Sequence, residues 1–429
     1  MNVEMQSVPF NAADAKAALT QLPAGSAVFA LFGAEAKDEP YVGRTPNLRG
    51  RLERLLLPSA KYPRRLQLAG RVRRIAYRLT GSDFESLLTQ FYLLDKVYGS
   101  KALERMHLRA PAFVRFLGSN PYPRVVVTHR PSQREADWAY GPFASRAAAE
   151  RFAEEMLKLF LLRRCTDDLN PDPSHPGCVY SEMKMCLAPC YKGCTDERYD
   201  QESAAVQDFL ATRGDSRLVV LRAERDAASE NLAFEDAASL HIQVQKVEAV
   251  RALAPELIQP MSRLRVAILQ PSANPDEVAV FLYEDGRLRG PLAFSTIGMR
   301  IQNEQSGSTS LFAQPMALEA VPEETMIKQQ GPAFREQESK TSAAVKAPRT
   351  MLEARMEAVL EELMQPTDPP NAVLRQGHLA LLKRWYYRPE VKREGEVIFP
   401  DSNGHWPLKA LLRGAGRIAA KRLAPIKPQ

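Results

Sequence analysis

All five cysteines of this 429-residue chain fall between Cys165 and Cys194, in a stretch rich in Pro, Asp and Asn. Thiols this dense and this local argue against structural disulfides in a reducing compartment and for soft-ligand chemistry, a metal or an iron-sulfur centre. Pro189 in Cys186-Leu-Ala-Pro-Cys190 keeps the last two ligands out of a continuous helix. Cys165, Cys178, Cys186 and Cys190 are the expected ligands, with Cys194 either spare or displacing one of them. Zinc and buried free thiols are the alternatives.

A chain of this length exceeds one ordinary core and implies several units. Lys plus Arg number 58 against 51 Asp plus Glu, a modest excess, but its placement is uneven. Between Tyr41 and Thr80 eleven basic residues, among them Arg44, Arg49, Arg51, Arg54, Arg64 and Arg65, face the single acid Glu53. Such a footprint suits phosphate contact, the alternative being a solvated face. No apolar run approaches the roughly 20 residues of a membrane span, and a cytoplasmic protein is the expectation.

Period and turn signals predict an α+β, multidomain chain. A helical lead-in (1–21) precedes a small module (22–105) with strands over 26–32 and 40–43, a helix over 47–57, a strand over 71–79 and a helix over 83–98 capped near Ser82. The cysteine-rich region (106–215) has a strand around VVVT, a Gly-Pro turn at Gly141, and helices over 145–162 and 195–212. A helical hairpin (216–256) breaks near Ala233, and a small β region (257–301) follows. A flexible insertion (302–349) leads to a helical, basic end (350–429) whose His378 and His405 read as packing or surface residues.

On the first module, Ala27-Val28-Phe29, Tyr41-Val42-Gly43-Arg44 and Asn47-Leu48-Arg49-Gly50-Arg51 together resemble the GIY-YIG nuclease module. The resemblance implies tyrosines that orient water, an arginine that steadies phosphorane charge and a glutamate that holds Mg²⁺. It assigns Tyr41, Arg44 and Arg51 as catalytic, but leaves Phe29, Leu55, Gln90 and Ala102 where the family has Tyr, Tyr, Glu and Asn. A neutral amide at Gln90 does not replace a carboxylate ligand. Glu85 lies about 140° around the same helix and Asp95 is displaced the other way. The expectation is an impaired site.

GPFASRAAAERF at Gly141, RRC at Cys165 and the four cysteines resemble the UvrC family of bacterial nucleotide excision repair, from about Leu22 to Val250. That resemblance implies a four-cysteine cluster, 4Fe-4S with zinc as rival. ASENLAFEDAASLHIQVQKVEAV resembles the family's UVR motif and implies docking of a UvrB-like protein through Phe234, Glu235 and Leu240, with His241 in place of the usual Arg. The residues beyond about Tyr387 are too few for the family's RNase H-like and helix-hairpin-helix domains, so both are expected to be missing. The implied function is a DNA-binding, UvrB-docking repair protein. An active endonuclease making the 3′-side incision with Mg²⁺, or a non-catalytic interaction module, are the alternatives.

Overall fold

Short apolar runs bounded by Gly, Asn and Ser set the first sheet. The computed structural model describes residues 4–35, 38–58, 68–166, 169–297, 299–302, 317–320 and 351–423, which gather into two compact units. The first comprises 1–108, 265–381 and 388–429, the second 109–264 and 382–387.

The first unit opens with β1 (Gln6–Pro9), α1 (Ala15–Thr20), β2 (Ala27–Phe32), β3 (Tyr41–Thr45), α2 (Leu48–Leu56), β4 (Arg74–Leu79), α3 (Asp83–Tyr98) and the short α4 (Ala102–Arg105). The strands form an antiparallel sheet in the order β1-β4-β2-β3, so the residues of the expected lead-in supply an edge strand. Register pairs Phe29 with Gly43 and Leu31 with Tyr41, and Phe29 and Leu31 share a core with Leu48 and Leu52 of α2 and Leu19 of α1. The opposite face carries Arg44 and Arg78, which pair with Asp83 and Glu85 of α3. Each long helix therefore covers its own face of the sheet.

The second unit holds β5 (Ala112–Phe116), β6 (Val125–Thr128), β7 (Ala139–Phe143), α5 (Arg146–Leu157), α6 (Val179–Glu182), α7 (Asp196–Ala211), α8 (Asp215–Glu230), α9 (Phe234–Ala252) and β8 (Gln259–Pro260). Its antiparallel sheet, ordered β6-β5-β7-β8, shares one core with the helices through Phe143, Phe152, Tyr199, Phe209 and Val247. Two expectations are corrected here. Gly141-Pro142 lies inside β7 rather than in a turn, because a Cβ at Gly141 would sit 2.5 Å from the Phe113 ring and only glycine lets β5 come that close. The helix from Ser145 ends at Leu157, not 162, since Arg164 and the backbone after Lys158 take up its last carbonyls.

The first unit resumes with β9 (Val266–Pro271), β10 (Glu277–Glu284), β11 (Arg287–Ser295), β12 (Met299–Gln302), β13 (Ala317–Ala320), α10 (Met351–Met364), α11 (Ala372–Tyr386, completed in the second unit), β14 (Glu396–Ile398) and α12 (Leu408–Leu423). A third antiparallel sheet runs β11-β10-β9-β14, with α10 and α12 on one face through Met356, Leu360, Leu411 and Ala415. Within the expected insertion, Ala317–Ala320 pairs with Met299–Gln302 and the rest lies outside the described residues. Phe281 of the third sheet meets Phe84 of α3 edge-on at 5.1 Å, and Gly377 of α11 seats against the Phe91 ring. Helix α3 thus has the first sheet on one side and the third sheet with α11 on the other. Burying each of these phenyl groups contributes about 2–3 kcal/mol.

Candidate nuclease site and cysteine centre

Tyr41 stands on the outer strand β3 and Arg51 one turn into α2, whose start is fixed by Asn47 accepting the Gly50 N–H. This places Arg51 Nη2 3.4 Å from Tyr41 Oη, with both side chains partly open to solvent. Phe29, which the GIY-YIG resemblance sets at a tyrosine position, is fully buried. Its ring lies over Gly43, 6.1 Å from that of Tyr41. The site has a phenol and a guanidinium in contact, able to grip and polarise a phosphate oxygen.

The Glu85 carboxylate does not join them. Glu85 is 4% exposed and turned to the start of α3, where its Oε2 accepts the Gly81 N–H at 2.8 Å while Ser82 caps the Glu85 N–H. Burial pushes its carboxyl above the usual range, against the opposing pull of the Gly81 bond and the Arg78 charge 3.9 Å away. Gln90 is half-buried on α3, Leu55 is buried in the α2 core and Ala102 is buried in α4. Among the described residues, no hydrogen bond or ion pair links Gln90 or Glu85 to Tyr41 or Arg51.

Arg44 faces away from Tyr41, paired with Asp83. Asp83 also accepts from Arg388 at 2.5 Å, a partner no local reading of the sequence reveals. Burial would raise the Asp83 carboxyl, but the Arg388 hydrogen bond and the Arg44 charge hold it below the usual range. Arg49 and Arg54 each spend Nε on a backbone carbonyl, those of Leu22 and Gly50, and these bonds do not use their Nη groups. Arg64 and Arg65 lie outside the described residues.

In the cysteine segment, Arg163 is fully buried, donating Nε to the Tyr122 carbonyl and Nη1 toward Cys165 Sγ at 3.6 Å. The Arg163 N–H donates to the buried Tyr199 hydroxyl, which in turn donates to the Pro123 carbonyl. That brace fixes the chain entering Cys165, a role the RRC motif alone did not reveal. Pro189 opens a single 3₁₀ turn over Cys190, flanked by Ala188 and Lys192 in the left-handed region.

Burial pushes the Cys186 thiol up to about 11, with Cys165, Cys178 and Cys190 as the charged neighbours that add to it. Burial likewise raises Cys190, whose neighbours are Cys178 and Cys165. Cys194 is raised by burial and by Asp196, with no other thiol contributing. Cys165, Cys178 and Cys190 therefore lie close to Cys186, whereas Asp196 is the charged neighbour that raises Cys194. Among the described residues, no group of three or more His, Cys, Asp or Glu closes to metal-site geometry, so the four are neighbours not drawn onto one centre. As a donor set they suit a soft metal or cluster.

The hairpin α8–α9 turns through Asn231, Leu232 and Ala233. Its tip is apolar and open, with Leu232 73% and Phe234 65% exposed, while Val244, Val247 and Val250 are buried. Leu240 is partly buried against that core, Glu235 sits exposed in the first turn of α9, and His241 meets Gln245.

Residues 113–209 match the family model of the UvrC/Cho excinuclease middle domain, a stretch holding all five cysteines. The chain is 28% identical to UvrABC system protein C of Alcanivorax borkumensis over 49% of its own length and 34% of that relative's. It is 27% identical to the same protein of Aliivibrio fischeri, over 56% and 39% of the two chains. Against that of Ruminiclostridium cellulolyticum the identity is 25%, over 73% and 52%. The chain thus spans about a third to a half of the relatives it matches. No solved structure matches. No helix among the described residues is long and apolar enough to cross a membrane.

Proposed function

This chain belongs to the UvrC family through its middle domain, and from that premise we propose that it is a nucleotide-excision-repair protein that binds DNA and docks a UvrB-like partner without cutting. One observation carries the reading: the stretch matched by the middle-domain model encloses Cys186 together with Cys165, Cys178 and Cys190, the thiols that lie close to it. Cys165, Cys178, Cys186 and Cys190 would hold an iron-sulfur cluster, zinc being the rival. Such a group, once bound, cross-links a segment with little regular structure of its own.

At the nuclease-like site Tyr41 and Arg51 would clamp a DNA phosphate, and the Arg49 and Arg54 forks add charge along the same helix. The catalytic step lacks its means. Phe29 offers no hydroxyl, Gln90 no charge, and Glu85 is committed to capping α3. The exposed Leu232 and Phe234 at the hairpin tip are apolar anchors for a partner helix, rimmed by Glu235.

A second reading, a metal-dependent endonuclease, is favoured by one observation, the Tyr41–Arg51 contact. Incubating the protein with nicked or lesion-bearing DNA and Mg²⁺ or Mn²⁺ separates the two. The proposal expects salt-sensitive binding and intact strands; cleavage that vanishes in Arg51→Ala sinks it. Absence of DNA binding at low salt would favour a pure interaction module.

A further inference from the structure

A cavity of about 460 Å³ opens in the first unit between α3, β11 and the end of α10, a volume typical of small-ligand sites. Arg287 and Arg289, alternate residues of β11, both line it. Arg289 is 8% exposed and fastened in place, its Nη1 donating to the Leu363 and Gln365 carbonyls at 2.6 and 2.7 Å. Arg287 Nη2 donates to the Asp368 carbonyl at 2.9 Å. In both, the buried Nε has no hydrogen-bond partner among the described residues. Backbone carbonyls satisfy the hydrogen bonds of these guanidinium groups without neutralising their charge, and a buried, uncompensated charge is costly.

Lys96 of α3 adds a third, exposed cation, and Asp95 and Glu362 are the acids in the lining. The balance is one positive charge, concentrated at the β11 wall. The remaining wall is apolar, chiefly Tyr92, Leu292 and Leu374. Tyr92 Oη is spent on the Leu288 carbonyl at 2.6 Å, so its ring, not its hydroxyl, is what a ligand meets.

We propose that this cavity binds a small organic phosphate of nucleotide size, its phosphate against Arg287, Arg289 and Lys96 and its ring portion against Tyr92 and Leu292. Guanidinium forks match phosphate oxygens, and a dianion answers three cations better than a carboxylate does. The volume and the apolar wall require more than a bare anion. The site lies on the side of α3 away from the first sheet and does not depend on the DNA-binding reading.

Calorimetric titration of the full chain with phenyl phosphate, inorganic phosphate and benzoate tests it. Phenyl phosphate is expected to bind saturably, and the other two at least tenfold more weakly. Lys96→Glu, at an exposed position, and Leu292→Trp, which fills the cavity, each lower phenyl phosphate affinity tenfold or more at unchanged melting temperature, while Arg51→Ala leaves it unchanged. The proposal is overturned if phenyl phosphate fails to bind at millimolar concentration, if binding survives Lys96→Glu, if inorganic phosphate or benzoate binds equally well, or if Arg51→Ala abolishes binding.

Discussion

Arg388 donates to Asp83 across 2.5 Å, tying the segment after α11 to the first turn of α3. Arg44 holds the same carboxylate from β3, so one acid joins three elements of the first unit. The three side chains are each about a third exposed, and solvent screening reduces what the pairs contribute. Asp83→Asn is expected to cost on the order of 1 kcal/mol at neutral pH. The folded-state carboxyl is held below its unfolded value, so its contribution is present above about pH 4 and fades as pH falls further. Urea denaturation of both proteins should show the gap closing below that pH; a gap constant down to strongly acid pH would refute the pairing.

His378 is a larger pH lever. It is fully buried, its Nδ1 accepts the Leu288 N–H at 3.0 Å, and the rings of Phe91 and Tyr92 stand edge-on to it. Burial first, then the Arg287 charge, push its pKa down to about 3. A histidine depressed in the folded state stabilises the fold above its unfolded value, near 6.5, and loses that contribution as pH falls. Below pH 6.5 this group should remove up to about 1.4 kcal/mol of stability per pH unit. His378→Asn, whose amide oxygen can accept the same N–H, should flatten the profile between pH 6.5 and 5. An unchanged slope in the variant would rule out His378 as its source.

Much of this fold was legible because local signals agreed. Ser82 before Asp83 and Glu85 announced the start of α3, and Asn47 that of α2. The strands β1, β5 and β7 were not legible, since each is short and takes its identity from neighbours distant in sequence. The fate of Glu85 was likewise hidden. Helical period gives its direction, but only the fold shows that the Gly81 N–H and Arg78 occupy its carboxylate. Cys194 illustrates the same limit: the sequence left it either spare or displacing one of the four expected ligands, whereas packing sets it beside Asp196.

DNA binding should run through the guanidinium that meets Tyr41. Arg51→Ala removes one phosphate contact and is expected to lower the slope of log affinity against log salt by about one, with affinity falling similarly on every sequence. Tyr41→Phe deletes only the hydroxyl and should weaken binding less. Fluorescence anisotropy over a salt series measures both, and an unchanged slope for Arg51→Ala would place the phosphates elsewhere.

On the hairpin, exposure separates partner contact from stability. Phe234 is 65% exposed, so Phe234→Ala should change stability by less than about 0.5 kcal/mol yet weaken a UvrB-like partner by about 2 kcal/mol, the scale of an aromatic anchor. Val247→Ala, in the buried core of the second unit, should do the reverse, costing about 1–3 kcal/mol of stability. Thermal melts and pull-down titrations report the two quantities separately. Equal partner binding by Phe234→Ala and the unaltered chain would remove the hairpin tip from the interface.

The cysteine centre yields the sharpest contrast, because five similar residues should behave as four and one. Cys165, Cys178 and Cys190 add to the rise of the buried Cys186 thiol, whereas Asp196 is the charged neighbour that adds to that of Cys194. Cys186→Ser should therefore abolish bound metal and loosen the segment that Arg163 and Tyr199 brace, while Cys194→Ser retains full occupancy. Metal analysis of anaerobically purified protein counts iron and zinc, and a brown colour with broad visible absorption distinguishes a cluster from zinc. Loss of metal in Cys194→Ser, with retention in any one of the other four serine variants, would reassign the ligand set.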